Sequence, residues 1–226
     1  MTVTLSQLRT QSRQRADMEN SEFVTDSELN TYINSSIAEL HDLLIAAYDS
    51  DYSVSTVSFN TASGTSSYAL PNGTNYSAAA ELYKLRGVDI RRNNDDWLTL
   101  ETFNFNERNR TGEGGIYMRY RMVGANLVLS PDPDGTYEVK LWYIPVATKL
   151  TLDADTLRDL NQYSEYVVVD AAIKMLQKEE SDVSVLMAQK AALSQRITDM
   201  AQNRDAGRPE SVSDIYAEND YYFWTE

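Results

Sequence analysis

YVVVDAAIKMLQKEESDVSVLMAQKAALSQRITDMAQNRDAG, Tyr166 to Gly207, decides the fold. An apolar run breaks sharply at KEESD and resumes with helical spacing, the pattern of two helices joined by a short charged turn. The first helix, through YVVVDAAIKML, is apolar nearly all round and therefore central. The second places Val183, Leu186, Met187, Leu193, Ile197 and Met200 at helical intervals. Ser181 or Asp182 is its cap, and Gly207 followed by Pro209 is its stop. The periodicity predicts helices over 156–178 and 182–204.

Such a hairpin needs something to pack against, and the other end of the chain supplies it. Thr4 to Gln7 reads as a capping box for a short helix carrying Leu5 and Leu8, and Thr25 to Glu28 as a stronger one. Behind the second box, Leu29, Tyr32, Ile33, Ile37, Leu40, Leu43, Leu44, Ala47 and Tyr48 recur every three or four residues. From about Asp51 the period changes to two. YSVSTVSF (Tyr52–Phe59), YKLRGVDIRR, IYMRYRMV, NLVLSP and YEVKLWYIP read as strands, with Pro71–Gly73 in SSYALPNGT a turn and Gly124–Asn126 a tight hairpin. Pro131–Gly135 turns the chain into the last strand. There Tyr137, Val139, Leu141 and Tyr143 share one face, and Trp142 and Ile144 share the other.

The expected class is therefore α+β. Helices at 1–50 and 149–207 form one bundle, an antiparallel β module over 51–148 is inserted into it, and 208–226 is an extended tail.

The 226 residues carry 20 Lys+Arg against 34 Asp+Glu, a net charge of -14, with no cysteine. Disulfides and thiolate metal sites are excluded. No basic run suits the neutralisation of phosphates, so tight sequence-independent DNA binding is not expected. No apolar stretch approaches the roughly 18 residues of a membrane-spanning helix, and the opening MTVTLSQLRTQSRQR has no secretory h-region, so synthesis and folding in a cytosol are expected.

No catalytic constellation emerges, and no cofactor or metal site. The single histidine, His41, reads as a surface or interface residue, since a zinc site or a triad would need partners the chain lacks. Gly112–Gly115 has neither the spacing nor the setting of a phosphate loop. Asp132 and Asp134 open like a calcium loop but lack its closing acid, and read as a turn. Asp153 and Asp155 read as helix caps, and Glu179 and Glu180 as solvated charge at the helix turn.

Two regions stand apart. Between Ala79 and Arg121, eight cations (Lys84, Arg86, Arg91, Arg92, Arg108, Arg110, Arg119, Arg121) meet seven acids, making a neutral stretch in an acidic chain. It reads either as salt bridges on strand faces or as a surface complementary to a neighbouring copy. The tail carries Glu210, Asp214, Glu218, Asp220 and Glu226, together with Ile215, Tyr216 and the run Tyr221, Tyr222, Phe223, Trp224. Solvated disordered ends are poor in aromatics, whereas interfaces are anchored by them. The tail either folds onto its own core or inserts into another subunit, and the second reading is preferred.

YKLRGVDI, WLTLETFNFNERNR, RYRMVGANLVLSPDPDG, LWYIP and EYVVVDAAIKMLQKEESDVSVLMAQKAALSQRI, with LRTQSRQRADMENSEFVTDSELNTYINSSIAELHDLL before them, resemble tailed-bacteriophage head-to-tail connector proteins of the adaptor kind, over about 5–212. The resemblance implies a virion protein without catalytic activity. It would form a ring, commonly of twelve copies, docked under the portal at the neck, with a tail or nozzle protein on its lower face. DNA would pass through the channel without specific binding. On that reading Tyr216, Tyr221, Tyr222, Phe223 and Trp224 contact the portal protein. Arg91, Arg92, Arg108 and Arg110 contact neighbouring subunits, and Glu179, Glu180 and Asp182 face the channel. The alternatives are a tail-tube or neck-closure protein of the same connector, and a protein-binding module with an aromatic peptide tail.

Overall fold

Thr4 accepts from the Gln7 amide at 3.3 Å while its own amide donates to Gln7 Oε1 at 3.0 Å, the reciprocal box that starts helix α1 (Leu5–Arg15). The computed structural model describes residues 2–20, 22–48, 53–107 and 118–202, apart from the side chains of 158 and 159. Leu5 and Leu8 are fully buried. At the second box only half the exchange forms. Thr25 caps α2 (Asp26–Ala47) through the Glu28 amide, but the Glu28 carboxylate instead accepts from Lys178 Nζ at 2.7 Å and the Tyr32 hydroxyl at 2.8 Å. An ion pair to a distant helix outcompetes the local bond.

The C-terminal pair follows as α3 (Ser164–Lys178) and α4 (Ser184–Gln202). The first is shorter than its periodicity predicts, and the second begins at Ser184 rather than 182. Residues Arg158–Tyr163 wind as a tighter 3₁₀ segment, because this stretch is tied to the N-terminus: Val3 donates to Asn161 Oδ1 at 2.7 Å and Leu5 to the Asp155 carbonyl at 2.9 Å. Asp153 and Asp155 are not caps. Asp155 closes the turn behind it, accepting from the Thr151 and Leu152 amides, and Asp153 pairs with Arg9. The expected stop at Gly207 and Pro209 lies outside the described residues. α3 is the central helix, burying residues on all sides from Tyr166 to Met175. Leu29, Ile33 and Leu40 of α2, Leu5 and Leu8 of α1, and Leu193 and Ile197 of α4 complete one core drawn from both ends of the chain.

Between α2 and α3 the described residues form seven strands: β1 (Ser55–Asn60), β2 (Ser67–Ala69), β3 (Leu82–Arg91), β4 (Leu98–Thr99), β5 (Arg119–Val123), β6 (Asn126–Ser130) and β7 (Glu138–Pro145). They make two antiparallel sheets, of order β1-β7-β3-β4 and β2-β6-β5. Val88, Ile90, Val139 and Leu141 of the first sheet meet Leu127 and Leu129 of the second in a separate apolar core. Gly124 has φ +58, the geometry a two-residue hairpin with glycine in its first position needs, and it sets the register Val123↔Asn126. Tyr137, Val139, Leu141 and Tyr143 are all buried, as their alternation predicts. The fold is α+β: a helical bundle and an antiparallel two-sheet module.

Candidate interaction surfaces

Glu179, Glu180 and Asp182 stand exposed on the turn between α3 and α4. The turn is a Schellman closure: Glu180 donates to the Gln177 carbonyl at 3.2 Å and Ser181 to that of Leu176 at 3.0 Å. Glu180 sits in it at φ 60, the conformation that favours glycine. Asp182 accepts from the Ser184 amide at 2.9 Å and so caps α4, as one of its two expected caps. These bonds hold the Asp182 carboxyl below its usual range. The local cations point elsewhere, since Lys178 is bound to Glu28 and the Phe23 carbonyl.

Of the four arginines expected to contact neighbouring subunits, the two described ones differ. Arg91 is bound within its own chain, by Nε and Nη2 to Glu138 Oε2, both at 2.7 Å, and its guanidinium lies 4.5 Å from the Trp97 ring centre. Lys140 lies 3.9 Å over the same ring and 5.6 Å from that of Trp142, whose indole N–H donates to Asp89 at 2.6 Å. This cation–aromatic ladder runs across the outer face of the larger sheet and satisfies its charges internally. Arg92 is exposed beside it. Arg108, Arg110, the Gly112–Gly115 loop and Tyr216, Tyr221, Tyr222, Phe223 and Trp224 lie outside the described residues.

One cluster was not anticipated from the sequence. Asp170, in the middle of the apolar run of α3, is 2% exposed. It accepts from Lys174 Nζ, Lys190 Nζ and the Ser36 hydroxyl, each at 2.6 Å. Glu39 receives the same two lysines at 2.8 and 2.9 Å. Burial would raise the Asp170 pKa, but bonds from Lys174, Lys190 and Ser36 outweigh it and hold the carboxyl below its usual range. Burial likewise opposes the charge on Lys190, yet its bonds to Asp170 and Glu39 raise its pKa far above the ordinary value. The only sequence signal was a carboxylate inside VVVDAAI, with Lys174 four residues on.

His41 is buried rather than superficial, and its interface is internal. It packs edge-on against Tyr83 of β3, ring centres 5.5 Å apart, and its ring is hydrogen-bonded to the Pro145 backbone. Burial pushes its pKa below the ordinary value, against the opposing pull of Asp42. Asp42 also accepts from the Tyr83 hydroxyl and raises its pKa. His41 and Ile37 border a cleft of about 420 Å³ between the bundle and the strand module, closed on the other side by Val54, Ala80 and Pro145–Thr148. Among the described residues no group of three or more His, Asp or Glu side chains is arranged to hold a metal ion. No helix among them is long and apolar enough to cross a membrane.

The model of the SU10 adaptor protein family matches residues 3–213. No curated protein matches the chain. The chain belongs to the SU10 adaptor protein family, a family of phage head-to-tail adaptors.

Proposed function

We propose that this phage adaptor acts without catalysis as a subunit of a ring docked under the portal, joining capsid to tail around the DNA channel. Family membership over residues 3–213 carries the reading. The distribution of charge supports it. A channel lined by like charge lets DNA slide without adhering, and the net charge of -14 is compatible with such a lining. The exposed acids Glu179, Glu180 and Asp182 cluster at one end of the bundle and have the right sign to face that channel. Arg92, Arg108 and Arg110 are the proposed contacts to neighbouring subunits. Arg91 is engaged by Glu138 of its own chain and would contribute through the ladder that it orders. Tyr216, Tyr221, Tyr222, Phe223 and Trp224 are the proposed portal anchors, because large aromatics concentrate binding energy in few residues.

The test is light scattering of the purified chain, alone and mixed with portal protein, beside a chain ending at Gln202. The full chain is expected to assemble on the portal, and the truncated chain to keep its helical circular dichroism and fail to bind. Portal binding that survives truncation would remove the tail from the interface. A full chain that ignores the portal would refute the docking itself.

A further inference from the structure

Each sheet has two edges, and an edge strand offers unpaired backbone groups to any extended chain that reaches it. Three of the four edges carry a recognisable safeguard. β4 and β2 are only two and three residues long. Beside β4, the open half of β3 is broken by register shifts at Leu82/Lys84 and Leu85/Gly87 and bears Lys84 and Arg86. β5 bears Arg119 and Arg121 and is overlaid by the preceding segment, Tyr120 donating to the Glu101 carbonyl at 2.9 Å and Phe103 to that of Tyr120 at 3.1 Å.

Among the described residues β1 is neither short, broken nor charged, and the 75–78 turn meets it through the Tyr76 ring, 5.5 Å from that of Phe59, without a bond to its backbone. Its six residues, STVSFN, pair with β7 in unbroken register from Ser55↔Tyr143 to Asn60↔Glu138, with no proline, bulge or charge. The bond from the Thr61 amide to the Tyr137 carbonyl fixes the alternation. Ser55, Val57 and Phe59 turn their backbone groups to β7, so Thr56, Ser58 and Asn60 turn theirs to the open edge. Among the described residues no backbone group is bonded to these three on that side. The side chains of Thr56, Ser58 and Asn60 are exposed, while Val57 and Phe59 pack toward the core.

We propose that β1 is a strand-addition edge and that in the free protein a second copy of this chain occupies it, β1 against β1, antiparallel about a two-fold axis at Ser58. Charge favours a second copy at this place. Two chains of net charge -14 repel wherever acids meet, but residues 52–80 contain no Asp, Glu, Lys, Arg or His, so this edge brings the copies together without opposing charges. The register is self-complementary. With Ser58 opposite Ser58 of the partner subunit, Val57 faces Phe59 of the partner subunit on the core side, twice over, and Thr56 faces Asn60 of the partner subunit on the outer side. β-branched-to-aromatic pairs are favourable cross-strand neighbours. The contact is isologous and needs no portal, so it stands apart from the ring reading.

The absence of cysteine allows a clean test on the full chain. In the proposed register the two Ser58 Cα atoms are about 5.5 Å apart, within disulfide reach, whereas two Thr56 positions are four residues out of step and beyond it. Ser58→Cys is expected to oxidise to a linked dimer at least about tenfold faster than Thr56→Cys. In the wild-type chain the Thr56, Ser58 and Asn60 amides should gain protection from hydrogen exchange as concentration rises, and Ser58→Lys should abolish that gain. Equal oxidation rates for the two cysteine variants would overturn the proposal. So would fast exchange of the three amides at every concentration, or protection already complete in the monomer, which would mean that the chain covers its own edge.

Discussion

The helical core encloses a carboxylate, Asp170, held by two lysines and a serine, whereas the core between the sheets encloses no charged side chain among the described residues. Among the described residues the one buried polar side chain near the strand core is Thr61, which accepts from the Tyr137 amide and donates to the Gly135 carbonyl. The contrast follows from how each element is held in register. Strands are held by their backbone ladders, so an apolar core between them needs no further specification. Helices have no such ladder between them, and an apolar seam tolerates sliding and repacking. A buried charge tolerates neither. Asp170 must meet Lys174 on its own helix and Lys190 on α4, and Glu39 of α2 must meet the same two lysines. Three helices are thereby fixed in rotation and height.

The largest effect expected from breaking this contrast is at Asp170. Asp170→Ala leaves Lys174 and Lys190 with Glu39 as their one shared acceptor in a partly buried site, and should cost about 3 kcal/mol in chemical denaturation. A loss no larger than that of an exposed substitution would refute the claim that the cluster sets the packing. Next comes the junction at His41. Its folded pKa lies below the ordinary 6.5. Above that value both states are neutral. As pH falls through 6.5 and on to the folded value, the unfolded chain takes up a proton the folded chain resists, and stability is lost. His41 is the only histidine, so His41→Phe should flatten the fall in stability between pH 7 and pH 5. An unchanged slope would refute the assignment. The smallest effect is at the helix turn. Glu180→Gly removes a side chain from a left-handed position and should raise stability by about 1 kcal/mol, readable as a higher Tm. If Tm falls instead, the Glu180 side chain has a stabilising role that its exposed position does not reveal.

Much of the fold is legible in the sequence because its signals are local. The α2 stripe, the Thr4 box and the Gly124 hairpin each depend on residues within a turn or two of one another. The split into two sheets is not legible, because alternation tells which face of a strand is buried and not which strand lies beside it. β7 pairs with β1 and β3, both far away in sequence, while the adjacent β6 joins the other sheet. The Asp170 cluster was hidden for the same reason, since Ser36 lies 134 residues from its acceptor. His41 was misread because a polar residue on an apolar stripe does not announce that a strand will cover it. Of the proposed contact residues, the sequence conveyed charge and aromaticity but not pairing. Arg91 and Arg92 are neighbours with the same charge, yet only Arg91 has Glu138 across the ladder.

A core drawn from both ends of the chain also sets an order of events during synthesis. α1 and α2 leave the ribosome with their apolar stripe uncovered, and α3, the helix that fills it, follows only after the whole strand module has been made. At about 5–20 residues per second, that interval lasts on the order of 5–20 seconds. The strand module can close on its own apolar core as soon as β7 emerges, and in doing so it brings the chain's two crossings together. The module is thus the first part able to fold, and it delivers α3 and α4 to helices that have been waiting for them.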